Sequence, residues 1–292
     1  MEDELLRVLY HRLSASASAR GPRRGKFSNG TIALIYLLGV LRNRSPRWAA
    51  DQHNWPLWLR RVLLCPSYSQ LIRRLKTDSV RQLIDQINAE WRERLPHSRL
   101  KFCDGKPLVV GGFSKDPDAR RGKVPDGWAR GYKLHALADS LGDIEAFQVT
   151  ALDAGESTVA CRLVRQTGLD TAVIRADANY DSNRLYAAVS ERGGRLIAPR
   201  CKPGRGLGHC AHHPHRLRAI AELEGDGIAL KTHRRLRVAV EQCFAHLTNL
   251  PFGLSPLPNF VRRLTRVRLW LSAKITLYHL HLNLNQRNAQ VA

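Results

Sequence analysis

Residues 171–182 read TAVIRADANYDS, and the change of pattern within this segment indicates the architecture of the chain. Its first six residues form a short apolar run, which predicts a buried strand over residues 171–176. The run ends directly at Asp177, and a helix is predicted over residues 182–192. A strand that ends on a carboxylate and is followed by a helix is typical of a sheet with helices packed on its faces.

The segments on either side extend this sheet. Residues 108–110 form an apolar run and residues 132–137 alternate apolar with polar side chains, so both are predicted strands. A turn at Leu141-Gly142-Asp143 leads into a further strand, which gives an antiparallel pair. The predicted fold class is therefore α/β, a mixed sheet flanked by helices. The remaining predicted elements are a strand over residues 144–152, a helix over 158–166, a strand over 195–198 and a helix over 233–247.

Residues 1–97 are predicted to form an all-α, basic N-terminal domain, because apolar residues keep helical spacing over 31–41, 55–64 and 80–91. Ser67 can cap a helix that carries Arg73 and Arg74. These two arginines could belong to a recognition helix that lies against DNA, or to a solvated basic surface, and the sequence leaves both open.

The charge balance indicates a polyanionic partner. The chain has 47 Lys and Arg against 25 Asp and Glu, a formal net charge of +22. Such an excess repels itself unless a polyanion is present, so nucleic acid is favoured over a membrane or acidic metabolites. From Lys231 to the last residue there are ten basic residues and a single acid, Glu241.

The sequence favours a cytoplasmic, nucleoid-associated protein. Its longest apolar run, residues 31–41, is eleven residues long, whereas a membrane-spanning helix needs about 20. The first residues, MEDELLRVLYHRL, do not resemble a secretory signal, and the six cysteines are scattered. A reduced compartment and no membrane partner are therefore expected.

Three carboxylates in three different elements are the candidate catalytic residues. Asp104 lies in a strand-forming stretch, Asp177 follows the apolar strand, and Glu241 lies in a predicted helix. Phosphodiester cleavage with divalent ions needs such a cluster, because oxygen ligands must hold two hard cations beside the phosphate.

Each acid also has a purely structural interpretation. Asp104 before Gly105 could be a turn aspartate, and Asp177 could cap a helix or turn. Glu241 could be a surface partner for Arg237, one helical turn earlier. Together, the three acids favour function over these separate explanations.

The chain resembles the DDE transposases of bacterial insertion sequences, of the insertion-sequence-four/five type. The resemblance covers residues 65–285 and rests on four stretches: DGK at 104–106 with GGFSKDPDAR at 111–120, GYKLHAL at 131–137, ADANYDS at 176–182 and RVAVEQCF at 237–244. The last is similar to a Y-x2-R-x3-E-x6-K signature, in which Arg234 and Thr248 occupy the tyrosine and lysine positions here.

This resemblance implies a ribonuclease-H-like catalytic domain over residues 98–292 that ends in a long C-terminal helix. It also implies a transposase that cuts DNA at the terminal inverted repeats of its element and joins the freed end to target DNA. Asp104, Asp177 and Glu241 would be the metal-binding acids, with two Mg²⁺ or Mn²⁺ ions expected. One ion would activate a water and later a 3′-hydroxyl, and the other would stabilise the leaving oxygen. A homodimer in the DNA complex is a further expectation.

Basic residues outside the three acids are candidate DNA contacts. His135, beside Lys133 on a predicted strand, could contact phosphate or assist protonation, although an exposed strand face explains both equally well. A long amphipathic helix is predicted over residues 261–285, with its cations at the start. The predicted DNA-binding residues are Arg237, Arg234, Lys133, Arg73, Arg74, Arg262, Arg263 and Arg266.

Two alternatives to these predictions stay open. Residues 201–215 hold two cysteines and four histidines, but their spacing does not match the paired ligands of a structural zinc site, so a basic DNA-contacting loop is favoured. For the whole chain, the alternative function is a catalytically inactive DNA-binding protein derived from a transposase. A metal-dependent nuclease without strand transfer is a third.

Overall fold

The computed structural model describes residues 1–15, 26–207, 209–225, 227–254 and 256–291. The chain divides into two compact units. The helical unit comprises Met1–Leu95, Leu247–Val261 and Thr265–Ala292, and the sheet unit comprises Pro96–His246 and Arg262–Leu264. The division into an N-terminal domain over residues 1–97 and a catalytic domain over residues 98–292 stays a prediction.

The helical unit is built around one apolar helix. Every residue of its second helix, Asn29–Leu41, is buried except Thr31. The sequence NGTIALIYLLGVL places apolar side chains on all faces of this helix. Ser28 caps it by accepting a hydrogen bond from the Thr31 amide. The helices of this unit are α1 (Glu2–Ala15), α2 (Asn29–Leu41), α3 (Pro46–Ala49), α4 (Leu57–Val62), α5 (Tyr68–Leu75), α6 (Asp78–Arg92) and, at the end of the chain, α11 (Leu264–Val291).

The predicted C-terminal helix is present as α11. Its apolar stretch packs inside the helical unit, and polar side chains fix it to α6: Ser272 donates to Asp85 at 2.6 Å and His279 donates to Asn88 at 2.8 Å. Asn283 adds a bond to the Trp91 carbonyl at 2.8 Å. These contacts hold α11 against α6 within the helical unit.

A six-stranded mixed sheet forms the centre of the sheet unit. The strands lie in the order β2-β3-β1-β5-β6, and β4 pairs with β3. Pairings of β3 with β1, β2 and β4 are antiparallel, whereas β1, β5 and β6 run parallel. The strands are β1 (Leu100–Val109), β2 (Arg120–Val124), β3 (Gly127–Asp139), β4 (Ile144–Ala151), β5 (Val173–Ala176) and β6 (Arg195–Ile197).

Helices cover this sheet as predicted. An apolar layer including Cys161, Val164 and Leu185 packs against Cys103 and Leu137 of the sheet. The fold class predicted from the sequence, a mixed α/β sheet flanked by helices after an N-terminal helical region, is confirmed. The helices of this unit are α7 (Glu156–Gln166), α8 (Asn183–Ser190), α9 (Pro214–Gly225) and α10 (Gly227–Asn249), whose last turn belongs to the helical unit.

Within the described residues, every helix is too short or too polar to cross a membrane.

Candidate active site

Asp104 and Asp177 are placed beside each other by the pairing of two parallel strands. Cys103 of β1 is the register partner of Ala176, the last residue of β5, so Asp104 on β1 and Asp177 directly after β5 follow two paired residues. Both side chains are half-buried. The Asp104 Oδ1 accepts a hydrogen bond from the Gly105 amide at 2.8 Å.

Burial dominates the electrostatics of this pair. It raises the pKa of Asp104 to about 6, although the Gly105 amide and Arg237 act in the opposite direction, and the charges of Asp177 and Glu156 raise it further. The pKa of Asp177 is also raised, first by burial and then by Glu156. The site therefore concentrates carboxylates where water solvates them poorly.

Asp177 also has the capping role that the sequence allowed. Its Oδ1 accepts from the Asn179 amide at 2.8 Å, at the start of the 3₁₀ turn Ala178–Tyr180. The cap fixes the direction of the carboxylate, because one oxygen is held by the turn. Capping and participation in the site are thus compatible.

Helix α10 brings a cation to the pair. Arg237 Nη2 lies 3.8 Å from Asp104 Oδ2, and its side chain is 22% exposed. One turn before it, the buried His233 accepts a hydrogen bond from Arg175 of β5 at 3.2 Å. Burial lowers the pKa of His233 to about 4, so the ring is neutral at pH 7 and can accept this bond. This hydrogen bond connects α10 to β5 of the sheet.

Glu241 lies on the same helix, four residues after Arg237, and its side chain is exposed. Residues four apart share one face of a helix, so Glu241 extends the face that carries Arg237. The structure brings together Asp104, Asp177 and Arg237, and the convergence of Glu241 on the two aspartates stays a prediction. Arg234 is exposed one turn earlier on α10.

A fourth acid, Glu156, was missed by the sequence analysis. It is the first residue of α7, and its Oε1 lies 2.8 Å from Lys133 Nζ, with 15% of the Glu156 side chain and 12% of the Lys133 side chain exposed. Its charge raises the pKa values of both Asp104 and Asp177. The available signal was an acid between a predicted strand and a predicted helix, but the predicted helix begins at residue 158 and leaves Glu156 out.

The predicted strand residues Lys133 and His135 both lie inside the protein. Lys133 is held by Glu156 as described. His135 is 1% exposed and its Nε2 lies 2.9 Å from the Thr150 hydroxyl. Burial lowers the pKa of His135 to about 3, so it is neutral. The predicted contact of His135 with phosphate is therefore wrong, because the ring is enclosed between the sheet and α7.

The other predicted DNA-binding cations lie in different surroundings. Arg74 is half-buried, donating to the Phe27 carbonyl at 3.0 Å and to Asn29. The Arg263 amide donates to Asp116 at 3.0 Å, and its guanidinium lies 3.8 Å from Asp118. Contact with DNA stays a prediction for each of these cations. Arg73, Arg263 and Arg266 are exposed to solvent, and Arg262 is half-buried.

The loop that contains the cysteines and histidines, residues 201–215, is held by Asp181 and Asn183, which come shortly after Asp177 in the chain. Its Gly208 lies outside the described residues. Asp181, whose side chain is fully buried, forms two bonds with Arg216, at 2.6 and 2.8 Å, and accepts from the Cys201 amide at 3.1 Å. Asn183 donates to the Ala211 carbonyl and accepts from the His213 amide, each at 3.0 Å. Asp181 and Asn183 thus anchor both ends of this loop.

A second group of potential ligands lies near the start of β1. One ligand atom from each of His97, Asp139, Asp143 and Glu145 falls within 4.8 Å of the others. Asp139 already accepts from the amides of Leu141 and Asp143 and so shapes the turn between β3 and β4. Glu145 pairs with Lys101. These contacts give the group a structural role.

Comparison with known proteins gives one family. Residues 96–280 match the family model described as a transposase DDE domain. No curated protein matches. One solved structure with a detectable similarity is a cryo-EM structure of a piggyBac transposase synaptic complex with hairpin DNA, at 11% identity and a TM-score of 0.37, covering 97% of this chain and 79% of that chain.

Proposed function

Because the chain belongs to the transposase DDE domain family, we propose that it cleaves DNA at the ends of a mobile element, an insertion sequence, and joins the freed ends to target DNA. The observation that carries this proposal is the placement of Asp104 on β1 and of Asp177 directly after β5, its parallel neighbour, with Arg237 Nη2 3.8 Å from Asp104 Oδ2. A pair of poorly solvated carboxylates beside an arginine suits a reaction at a phosphodiester.

The donor set fits a divalent cation. Asp104 and Asp177 offer carboxylate oxygens, the ligands that Mg²⁺ and Mn²⁺ prefer. Burial raises the pKa of Asp104 to about 6 even though Arg237 is close, so a further positive charge would be accommodated there. We propose that Asp104, Asp177 and Glu241 hold the metal, with two ions in the complete site. When bound, such ions supply Lewis-acid polarisation of the phosphate.

The residues of the chain position the reactants. Asp177 is held by its own cap and Asp104 by the Gly105 amide, so both carboxylates are oriented before DNA arrives. Arg237 can donate to a non-bridging phosphate oxygen and so offset the charge that develops during attack. The 3′-hydroxyl of the cut end would then attack target DNA in the same site.

Double-stranded DNA is the proposed partner, as terminal inverted repeats and as target. The net charge of +22 supports this, since each neutralised phosphate releases counterions. Arg234, Arg237 and the cations of residues 262–266 are the proposed contacts, with a second copy of the chain in the DNA complex. A location on the nucleoid follows from DNA binding.

The test is a nicking and strand-transfer assay with terminal-repeat DNA and Mg²⁺ or Mn²⁺. We expect the wild-type protein to nick the repeat and to join a supplied 3′-hydroxyl end to a plasmid, and Asp104→Asn to abolish both reactions. Asp126→Asn, an exposed aspartate in the turn between β2 and β3, is the matched control and keeps full activity. Wild-type protein that binds the repeat but never nicks it would support the inactive DNA-binding alternative. Nicking without joining would support a nuclease.

A further inference from the structure

We propose that the outer end of the β2–β3 hairpin binds duplex DNA on one side of the cut, through Arg121, Lys123 and Trp128. These three side chains are called the hairpin surface below. The inference deepens the proposed function and rests on it. None of the three belongs to the DNA-binding residues predicted from the sequence.

Strand alternation places the hairpin surface on the same face of the sheet as Asp104. Residues two apart on a strand share a face, and so do directly paired residues of neighbouring antiparallel strands. Asp104 pairs with Ala136 of β3, and Trp128 lies eight residues before Ala136, an even number. Lys123 pairs with Trp128, and Arg121 lies two residues before Lys123. All three side chains therefore project from the face that carries the Asp104 carboxylate.

The hairpin surface is exposed and rich in positive charge. Arg121, Lys123 and Trp128 are exposed to solvent, Trp128 by 66%. The residue paired with Arg121 is Arg130, whose guanidinium donates to three main-chain carbonyls rather than to a carboxylate. Like charges directly opposite each other destabilise a strand pair, so a polyanion lying on this face would stabilise it. An exposed indole among cations is also typical of an interaction surface.

A further cation lies on this face between the hairpin and Asp104. Tyr132 of β3 projects from the same face and donates to Asp116 at 2.5 Å, and Asp116 accepts from the Arg263 amide at 3.0 Å. Arg263 has a φ of 74°, a left-handed conformation that is uncommon outside glycine, and 55% of its side chain is exposed. The buried Asp116 thus holds a strained residue in place. Positive charge therefore continues from the hairpin surface towards Asp104.

The length of β3 sets how far from the cut the hairpin surface lies. Eight residues separate Trp128 from Ala136, the register partner of Asp104. At a rise of about 3.4 Å per residue, this separation is about 27 Å. Successive phosphates of one DNA strand are about 3.4 Å apart along the helix axis, so the contact would fall roughly eight base pairs from the scissile phosphate. It should require DNA on one side of the cut only.

Arg120 provides a matched control. It precedes Arg121 in β2, is also exposed, and pairs with Gly131, so its side chain projects from the opposite face of the sheet. Arg120→Met and Arg121→Met remove the same charge from the same strand. General attraction by the net charge of +22 predicts equal losses of affinity. A specific surface predicts a loss for Arg121→Met alone.

The experiment measures fluorescence anisotropy of terminal-repeat duplexes with the full-length protein, without divalent cations so that the DNA stays uncut. One duplex extends about 15 base pairs on both sides of the cut, and two others are shortened to about 4 base pairs on one side or the other. On the long duplex, we expect Arg121→Met and Lys123→Met each to weaken binding about three- to tenfold and to reduce the salt slope by about 1.

The other variants have distinct expected results. Trp128→Ala should weaken binding severalfold without changing the salt slope, because an indole displaces no counterion. Arg120→Met should bind like the wild type. On one of the two shortened duplexes, the wild type and Arg121→Met should bind alike, because the DNA no longer reaches the hairpin surface.

Several results would overturn the inference. Equal losses in Arg120→Met and Arg121→Met would do so, as would a loss in Arg121→Met that is the same on all three duplexes. If Trp128→Ala converts a dimer to a monomer without DNA while Arg121→Met binds normally, the surface joins two copies and the inference fails. If all three hairpin variants bind and nick the repeat like the wild type, this inference fails and the proposed function stands. A wild-type protein that neither binds nor nicks the repeat would instead remove the proposed function.

Discussion

Gly105 shows how one missing side chain shapes the site. A Cβ there would come within 3.1 Å of both Glu156 and Lys133, tighter than ordinary van der Waals contact. We expect Gly105→Ala to push this pair away from β1, to displace the strand that carries Asp104 and so to lower DNA nicking by roughly ten- to a hundredfold, because small displacements of catalytic groups are costly.

Rates of nicking under saturating Mn²⁺ test this prediction. Gly112→Ala is the control, since a Cβ at Gly112 meets nothing within 4 Å. Equal rates for both alanine variants would show that the space at Gly105 has no role in the reaction.

Lys274 makes the helical unit sensitive to pH. Its buried ammonium donates to the Val40 carbonyl at 3.0 Å and also to Asn43 and the Phe252 carbonyl. Burial lowers its pKa from 10.5 to about 7. Between pH 7 and about 10 the unfolded chain binds this proton and the folded chain does not, so the free energy of unfolding rises with pH in that window.

The comparison that isolates this effect is Lys274→Met against wild type. We expect the wild-type advantage in unfolding free energy to grow from pH 7 to pH 10, by an amount on the order of a few kcal/mol. Urea unfolding at several pH values measures it. A difference that is constant across this range would mean that Lys274 titrates normally in the folded protein.

At the scale of elements, the Asp181–Arg216 pair connects the segment between β5 and α8 to the first turn of α9. Arg216→Met would leave the fully buried Asp181 carboxylate without its cation. We expect a loss of about 3–5 kcal/mol in stability, because breaking a buried ion pair leaves a buried charge without its partner. We also expect faster trypsin cleavage after Arg205, in the loop that the pair holds.

The double variant Asp181→Asn/Arg216→Met controls for this stranded charge. It should recover part of the stability lost by Arg216→Met, while the loop stays sensitive to trypsin. If Arg216→Met melts at the wild-type temperature, the pair does not anchor the loop.

Elements with a continuous apolar pattern were predictable. Helix α2 follows from the eleven-residue run at residues 31–41, and the capping box of α5, in which Ser67 and Gln70 bond reciprocally, follows from the sequence PSYSQ. The apolar run that predicts β1 covers residues 108–110 alone, and the strand-forming stretch around Asp104 was given no bounds, since LKFCDGKP places lysines, an aspartate, a glycine and a proline in a strand. Its remaining length depends on pairing with β3 and β5, which local pattern does not show.

The residues of the candidate site were likewise predictable only where the local sequence carries a signal. Asp177 stands out because an apolar run stops there. Glu156 has no such signal, since its position depends on how α7 packs on β3 and β1. The missed helices α1 and α9 and strand β2 carry many polar residues, so tertiary contacts, rather than local periodicity, decide them.

At the scale of the whole molecule, the charge of +22 predicts a steep salt dependence of DNA binding. We expect log Kobs for a repeat duplex to fall linearly with log salt concentration, and Arg237→Met to reduce the magnitude of the slope by about 1. Fluorescence anisotropy between low and physiological salt measures both slopes. An unchanged slope in Arg237→Met would remove Arg237 from the phosphate contacts.

The register between β1 and β5 has a consequence for the history of such proteins. The two aspartates meet because Cys103 and Ala176 are neighbours in the sheet, not because of the number of residues between them. Segments between β1 and β5 can therefore lengthen or shrink during evolution while the carboxylates stay in place. Distant homologues should be aligned by counting back from each acid to the beginning of the strand before it, because the spacing in sequence changes while the strand pairing is conserved.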